Sequence, residues 1–137
     1  MSFVLDASVV LAWLLPDEES DPAERLIGRV AVDRVFAPSL LLLEVGNALL
    51  QAERRARIRA ATRLDLLGAF TTLPIILEPI AADSMLRAGV LAQRHALNLY
   101  DGCYLELAVT RGCALATFDR GLIRAADSEG VSLLGAR

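Results

Sequence analysis

Between Leu99 and Asp119 the chain reads as a helix, a tight glycine turn and a buried strand, with a carboxylate near each end. Asp101 stands where the helix begins, Cys103, Leu105, Leu107, Ala108 and Val109 supply its buried side, and Gly112 is placed to end it in a left-handed cap. The strand follows at once, from Cys113 to Thr117, and stops before Asp119. A helix and a strand joined so tightly run roughly antiparallel, so the helix start and the strand end meet on one side of the molecule. Two acids are thereby brought to one edge, and that edge is where chemistry is expected.

The rest of the chain repeats this alternation. Phe3-Val4-Leu5 is a short apolar strand that stops at Asp6, and residues 7–15 have helical composition up to Pro16. Asp6 and Ser8 both suit a helix N-cap. A polar loop over 16–20 leads to Asp21-Pro22-Ala23-Glu24, which reads as a helix start with a capping Asp, Pro at the first helical position and Glu three residues after the cap. Further strands are expected at 35–37, 74–77 and 131–134, and further helices at 40–56, 60–71, 81–95 and 120–126. Strands alternating with helices along the whole chain predict an α/β fold: a central parallel sheet covered on both faces, a three-layer α/β/α sandwich forming one domain over residues 1–137. In such sheets the ligand site lies beyond the carboxyl ends of the strands, and Asp6 and Asp119 both sit there.

Composition excludes several classes. With 137 residues and a mean hydropathy of +0.46 the chain is greasy, yet no apolar stretch approaches the ~20 residues of a membrane helix, and no secretory leader is read at its start. Its cysteines, Cys103 and Cys113, fall in a helix and a strand and read as reduced thiols of a cytoplasmic protein. The net charge is −3, and every one of the basic residues is arginine.

Asp6, Asp101 and Asp119 each fit a helix N-cap, but parallel neighbouring strands bring them into one crevice. Glu44 joins them from the long helix, with Leu40 and Leu43 flanking it and Asn47 and Gln51 following at helical spacing. Like charges in a partly dry crevice repel and raise one another's pKa, and a hard divalent cation removes that penalty. Four carboxylates without histidine or cysteine suit Mg²⁺ or Mn²⁺ rather than zinc. Such a cation polarises a phosphodiester and activates a water, so phosphate-ester hydrolysis is the natural reaction. Ser8 and Thr117, each two residues from an acid, are placed to orient carboxylates by hydrogen bonds.

Four segments in this order and at this spacing resemble the PIN domain, and within that family the VapC toxins of bacterial toxin–antitoxin pairs: Val4-Leu5-Asp6-Ala7-Ser8-Val9, Glu44 with Asn47, Tyr100-Asp101-Gly102-Cys103-Tyr104-Leu105, and Leu115-Ala116-Thr117-Phe118-Asp119. The resemblance covers nearly the whole chain. It implies a Rossmann-like sheet and a Mg²⁺- or Mn²⁺-dependent endoribonuclease that inhibits translation, with Asp6, Glu44, Asp101 and Asp119 as catalytic and metal-binding acids. Ser8, Asn47 and Thr117 map onto supporting polar positions. Gly102 stands where many relatives have alanine. The alternative the resemblance leaves is a PIN-fold protein with another nuclease role, or an inactive binding module.

Rival chemistries lack their residues. A phosphatase or receiver-like phosphoacceptor normally uses a lysine, and this chain has none; Asp6-Ala7-Ser8 also lacks the second acid of an Asp-x-Asp pair. His95, the lone histidine, reads as capping or surface packing. Arg54, Arg55, Arg57 and Arg59 crowd one helix end, where they serve either as a solvated face or as a track for RNA phosphates. The first helix is apolar almost all round, which predicts an interface including Trp13. The resemblance implies two partners: a second copy of the chain, forming a homodimer, and a small VapB-like antitoxin. The antitoxin would lay an apolar helix in a groove and reach the carboxylates with a basic side chain, competing with the cation.

Overall fold

Phe3, Val4 and Leu5 are all fully buried, so both faces of the strand they form are covered. The computed structural model, which describes residues 1–16 and 21–135, places this strand, β1 (Ser2–Leu5), inside a parallel sheet of order β3-β2-β1-β4. Its neighbours are β2 (Arg34–Pro38) and β4 (Ala114–Ala116), with Val4 in register with Phe36 on one side and Leu115 on the other. β3 (Ile75–Glu78) forms the far edge and is only half buried. The helices are α1 (Ala7–Leu14), α2 (Asp21–Gly28), α3 (Leu40–Arg54), α4 (Ala60–Thr71), α5 (Ala82–His95), α6 (Leu99–Arg111) and α7 (Arg120–Ser128), with a 3₁₀ turn at Arg29–Ala31. They flank the sheet in the expected α/β sandwich. No helix among the described residues is long and apolar enough to cross a membrane.

Several expectations need correction. Residues 131–134 do not form a strand: Leu133 makes a single parallel bridge to Leu115, held by Leu115 N–H to the Ser132 carbonyl (2.8 Å) and Leu134 N–H to the Leu115 carbonyl (3.0 Å). β4 is three residues long and offers little more to pair with. The long helix ends at Arg54, two residues early, and the chain turns through Ala56 in the left-handed region (φ 58°). α2 begins at Asp21 itself, and residues 17–20 of the polar loop before it lie outside the described residues.

The first helix also differs from expectation. Ala7, Val9, Val10, Ala12 and Leu14 are buried, and Leu11 and Trp13 pack against the same core. α2, α3 and α4 close over α1, so most of its all-round hydrophobicity is buried within the chain, while Leu11 and Trp13 stay partly exposed. The apolar surface lies elsewhere, at Val32, at Leu42 and Leu43 on α3, at Leu64 on α4, and at Leu86 and Val90 on α5.

Candidate active site

The site is built where β1 and β4 end side by side. The Asp6 N–H donates to the Ala116 carbonyl (3.0 Å), which carries the β1–β4 ladder one step past the strand. Asp6 then leaves the sheet in extended conformation and caps α1. Its Oδ2 accepts from Ser8 Oγ (2.5 Å), Thr117 Oγ1 (2.8 Å) and, more loosely, the Ser8 N–H (3.3 Å). The two hydroxyls in turn accept backbone N–H groups, Ser8 Oγ that of Phe118 across the two loops and Thr117 Oγ1 that of Asp119 within its own loop, each at 3.0 Å. The pair thus stitches the two strand ends together around one carboxylate oxygen.

Asp119 caps α7, its Oδ2 accepting from the Leu122 N–H at 2.8 Å, and its side chain is otherwise open to solvent. Glu44 comes from the second turn of α3. Its Oε1 accepts from the Tyr104 hydroxyl at 2.7 Å, and Tyr104 is completely buried on α6. The neighbours expected to shield Glu44 do so only in part, since Leu40 is buried but Leu43 faces water.

Asp101 does not cap α6. Asn98 does, accepting the Asp101 N–H at 2.8 Å, so Asp101 is the third residue of the helix and its carboxylate has no capping duty. Asn98 wins because it stands one turn earlier, with the right extended backbone and a side-chain oxygen of the right length. Tyr104 lies three residues beyond Asp101 and so on the same side of α6.

The electrostatics tie the four acids together. Burial raises the Asp6 carboxyl above its ordinary value, while its hydroxyl and N–H donors pull it part of the way back and the charge of Asp119 pushes it up again. Burial likewise raises Glu44, with Asp6 adding to the rise and Tyr104 opposing it. Asp101 is pushed up to about 6, first by burial and then by the charges of Asp119, Asp6 and Glu44. None of the four is ion-paired to an arginine among the described residues, although six other acids there, Asp33, Glu53, Glu78, Asp83, Glu106 and Glu129, have such a partner.

Three of these carboxylates share one arrangement. In Asp6, Glu44 and Asp119 one oxygen is held by protein donors, and the other accepts nothing from the described residues. Asp101 has both oxygens free of such donors. Among the described residues no three acid, histidine or cysteine side chains form a group that could hold a metal ion; what ties the four acids together here is the effect of their charges on one another.

Other expected residues fall outside this cluster. Asn47 is exposed one turn along α3 from Glu44. Arg54, Arg55, Arg57 and Arg59 are exposed at and beyond the far end of α3, with Arg54 about 15 Å along the helix axis from Glu44. His95 meets Glu129 at 2.5 Å, where α7 ends, and plays the packing role read from sequence. A separate cavity of about 430 Å³ is lined by Glu78, Asp83, Arg87, Glu106 and Arg111, but these charges already pair with one another: Arg87 with Asp83 and Glu106, and Arg111 with Glu78. Sequence reasoning missed Tyr104 and Asn98. The signals were a tyrosine one turn after Asp101 and an asparagine one turn before it.

Comparison with known proteins agrees with this geometry. Residues 3–128 match the PIN domain family. Ribonuclease VapC3 of Pyrobaculum aerophilum is 32% identical over 89% of this chain and 92% of its own length. Among solved structures, Rickettsia felis VapBC2 bound to a DNA fragment from their promoter superposes with a TM-score of 0.69 at 14% identity, covering 97% of both chains. Mycobacterium tuberculosis VapC20, a sarcin–ricin-loop-cleaving toxin, does so with a TM-score of 0.67 at 18% identity, covering 90% of this chain and 94% of that one. With the sheet, the order of its strands and the acids at its edge already in place, the match over residues 3–128 and the relationship to VapC3 establish that this chain belongs to the PIN domain family.

Proposed function

We propose that the protein is a Mg²⁺- or Mn²⁺-dependent endoribonuclease, the toxin of a VapBC-type pair, which hydrolyses RNA phosphodiester bonds in the cytoplasm and so inhibits translation. The observation that carries this reading is the unpaired set of four acids, three of them with one oxygen held by the protein and the other left for a ligand. Such a set repels a nucleic-acid phosphate, and a cation between them removes that repulsion. The oxygen-only donors suit Mg²⁺ or Mn²⁺ rather than zinc. When bound, such a cation supplies charge neutralisation at the phosphate and an activated water.

The chain's own residues divide the remaining work. Asp6 and Asp119 would hold the cation from the strand ends, Asp101 and Glu44 from the flanking helices. Ser8 and Thr117 fix the Asp6 carboxylate, so that binding costs little reordering. Asp101, raised to about 6 by burial and by the charges of the other three acids, would be relieved by a cation.

The VapBC2 neighbour supports a small antitoxin as partner; in this reading a basic side chain of that antitoxin competes with the cation at the carboxylates, and the chain also pairs with a second copy of itself. Leu43, 79% exposed and next in sequence to Glu44, offers that antitoxin an apolar foothold beside the acids. The test is cleavage of total RNA by the purified full chain with Mg²⁺ or Mn²⁺. Asp6→Asn and Asp101→Asn should each abolish cleavage while the circular dichroism spectrum stays that of the parent. Undiminished cleavage by Asp6→Asn in saturating EDTA would overturn the reading.

A further inference from the structure

We infer that Tyr104 is a positioning residue of the site: its hydroxyl holds Glu44 by one oxygen and so presents the other to the cation, an inference that rests on the cation reading above. The bond is 2.7 Å long and comes from a side chain with no exposed surface, so no water competes for that oxygen from the Tyr104 side. It also joins two separate helices, α3 carrying Glu44 and α6 carrying Tyr104. Glu44 has no other hydrogen-bond donor among the described residues, and a half-buried glutamate with three side-chain torsions wanders unless something ties it.

The arrangement repeats what Ser8 and Thr117 do for Asp6 and what the Leu122 N–H does for Asp119. In each case a single oxygen is tied. Tyr104 lies one turn after Asp101, so one stretch of α6 supplies an acid of its own and fixes the acid of another helix. A shift of α6 therefore moves both together. A tyrosine serving only the core would need its ring and nothing of its hydroxyl, which makes Tyr104→Phe the decisive change: it keeps the ring and removes the donor.

The experiment uses the full metal-free chain in two measurements. In crystals grown without metal, Glu44 should stay at the Tyr104 hydroxyl in the parent and leave that position in Tyr104→Phe. By calorimetry with Mn²⁺ alone, Tyr104→Phe should weaken binding about tenfold, as loss of a ligand-orienting partner does. In the Glu44→Gln background the same change should alter Mn²⁺ affinity by less than about twofold, because the tyrosine acts through the glutamate. An unmoved Glu44 with parental affinity would overturn the inference, and so would an equal loss in both backgrounds, which marks a merely structural role. A parent chain that binds no Mn²⁺ overturns the cation reading instead, and the crystal comparison then still decides whether Tyr104 positions Glu44.

Discussion

Asp101 is the one acid of the four whose carboxylate receives no hydrogen bond from the described residues, and its pKa is raised to about 6 from an ordinary 3.8. A folded-state pKa above the unfolded one means that ionising the group costs stability. The cost is fully present above pH 6, shrinks as pH falls between 6 and 4, and is absent below 4. Part of the carboxyl faces water, which screens the effect. Asp101→Asn mimics the protonated form. Without metal it should melt at a higher temperature than the parent at pH 8, and the gap should close toward pH 4; thermal denaturation in EDTA at both pH values checks this. Mg²⁺ should raise the parent's melting temperature at pH 8 and raise that of Asp101→Asn by less. At this scale the acids were legible in the sequence because strand ends and helix starts in an α/β chain point to one edge. Tyr104 was not, because a tyrosine inside an apolar helix face reads as core, and only the partner of its hydroxyl reveals otherwise. Asn98 was hidden for a related reason: Asp101 is itself a good cap, and which of two candidates a helix uses depends on backbone angles.

Among elements, the α5–α6 pair shows what sequence carries and what it omits. Both helices were legible from their periodicity, and Gly112 ends α6 in the left-handed cap expected of it (φ 61°). The reason for Gly102 was not legible, because it lies in the neighbouring helix. A Cβ at Gly102 would sit 2.6 Å from the Ala88 carbonyl oxygen and 3.1 Å from the Ala92 Cβ, so α5 and α6 can press this closely only over a glycine. Gly102→Ala should therefore destabilise the fold by about 1–3 kcal/mol, the cost of overpacking, and should shift Asp101 beside it; a lowered melting temperature together with weaker Mn²⁺ binding would show both effects. The turn between these helices offers the opposite change. Ala96 is held at φ 54°, a conformation that penalises a Cβ, so Ala96→Gly should gain up to about 1 kcal/mol, read as an increased midpoint in urea. Residues 131–134 show the limit of pattern reading. Their composition is that of a strand, yet pairing depends on how much neighbouring strand is available, and β4 is only three residues long.

On the scale of the whole molecule the problem is charge. The chain carries −3 overall, no arginine among the described residues pairs with its four candidate site acids, and the substrate proposed for it is a polyanion. A cation at the acids neutralises the phosphate being cut and none of its neighbours along the strand, so affinity for the rest of the RNA must come from arginine, the chain's sole basic side chain apart from His95. Several arginines are already engaged with acids: Arg29 with Asp33, Arg63 with Glu53, Arg87 with Glu106 and Arg94 with Glu129. Arg54 and Arg55 are exposed where α3 ends, and α3 is also the helix that carries Glu44 into the site. One helix thus leads from the acids to a basic end about 15 Å away, a span that a bound strand can follow. If the two arginines each release a counterion on binding single-stranded RNA, Arg54→Gln with Arg55→Gln should lower the slope of log affinity against log salt by about 1.4 and weaken binding uniformly across RNA sequences. The measurement is RNA binding by the metal-free chain, where cleavage is suppressed, over a series of salt concentrations. A slope equal to the parent's would assign Arg54 and Arg55 to the solvated end of α3, favoured there by the helix dipole, and the phosphate track would have to be sought on another face.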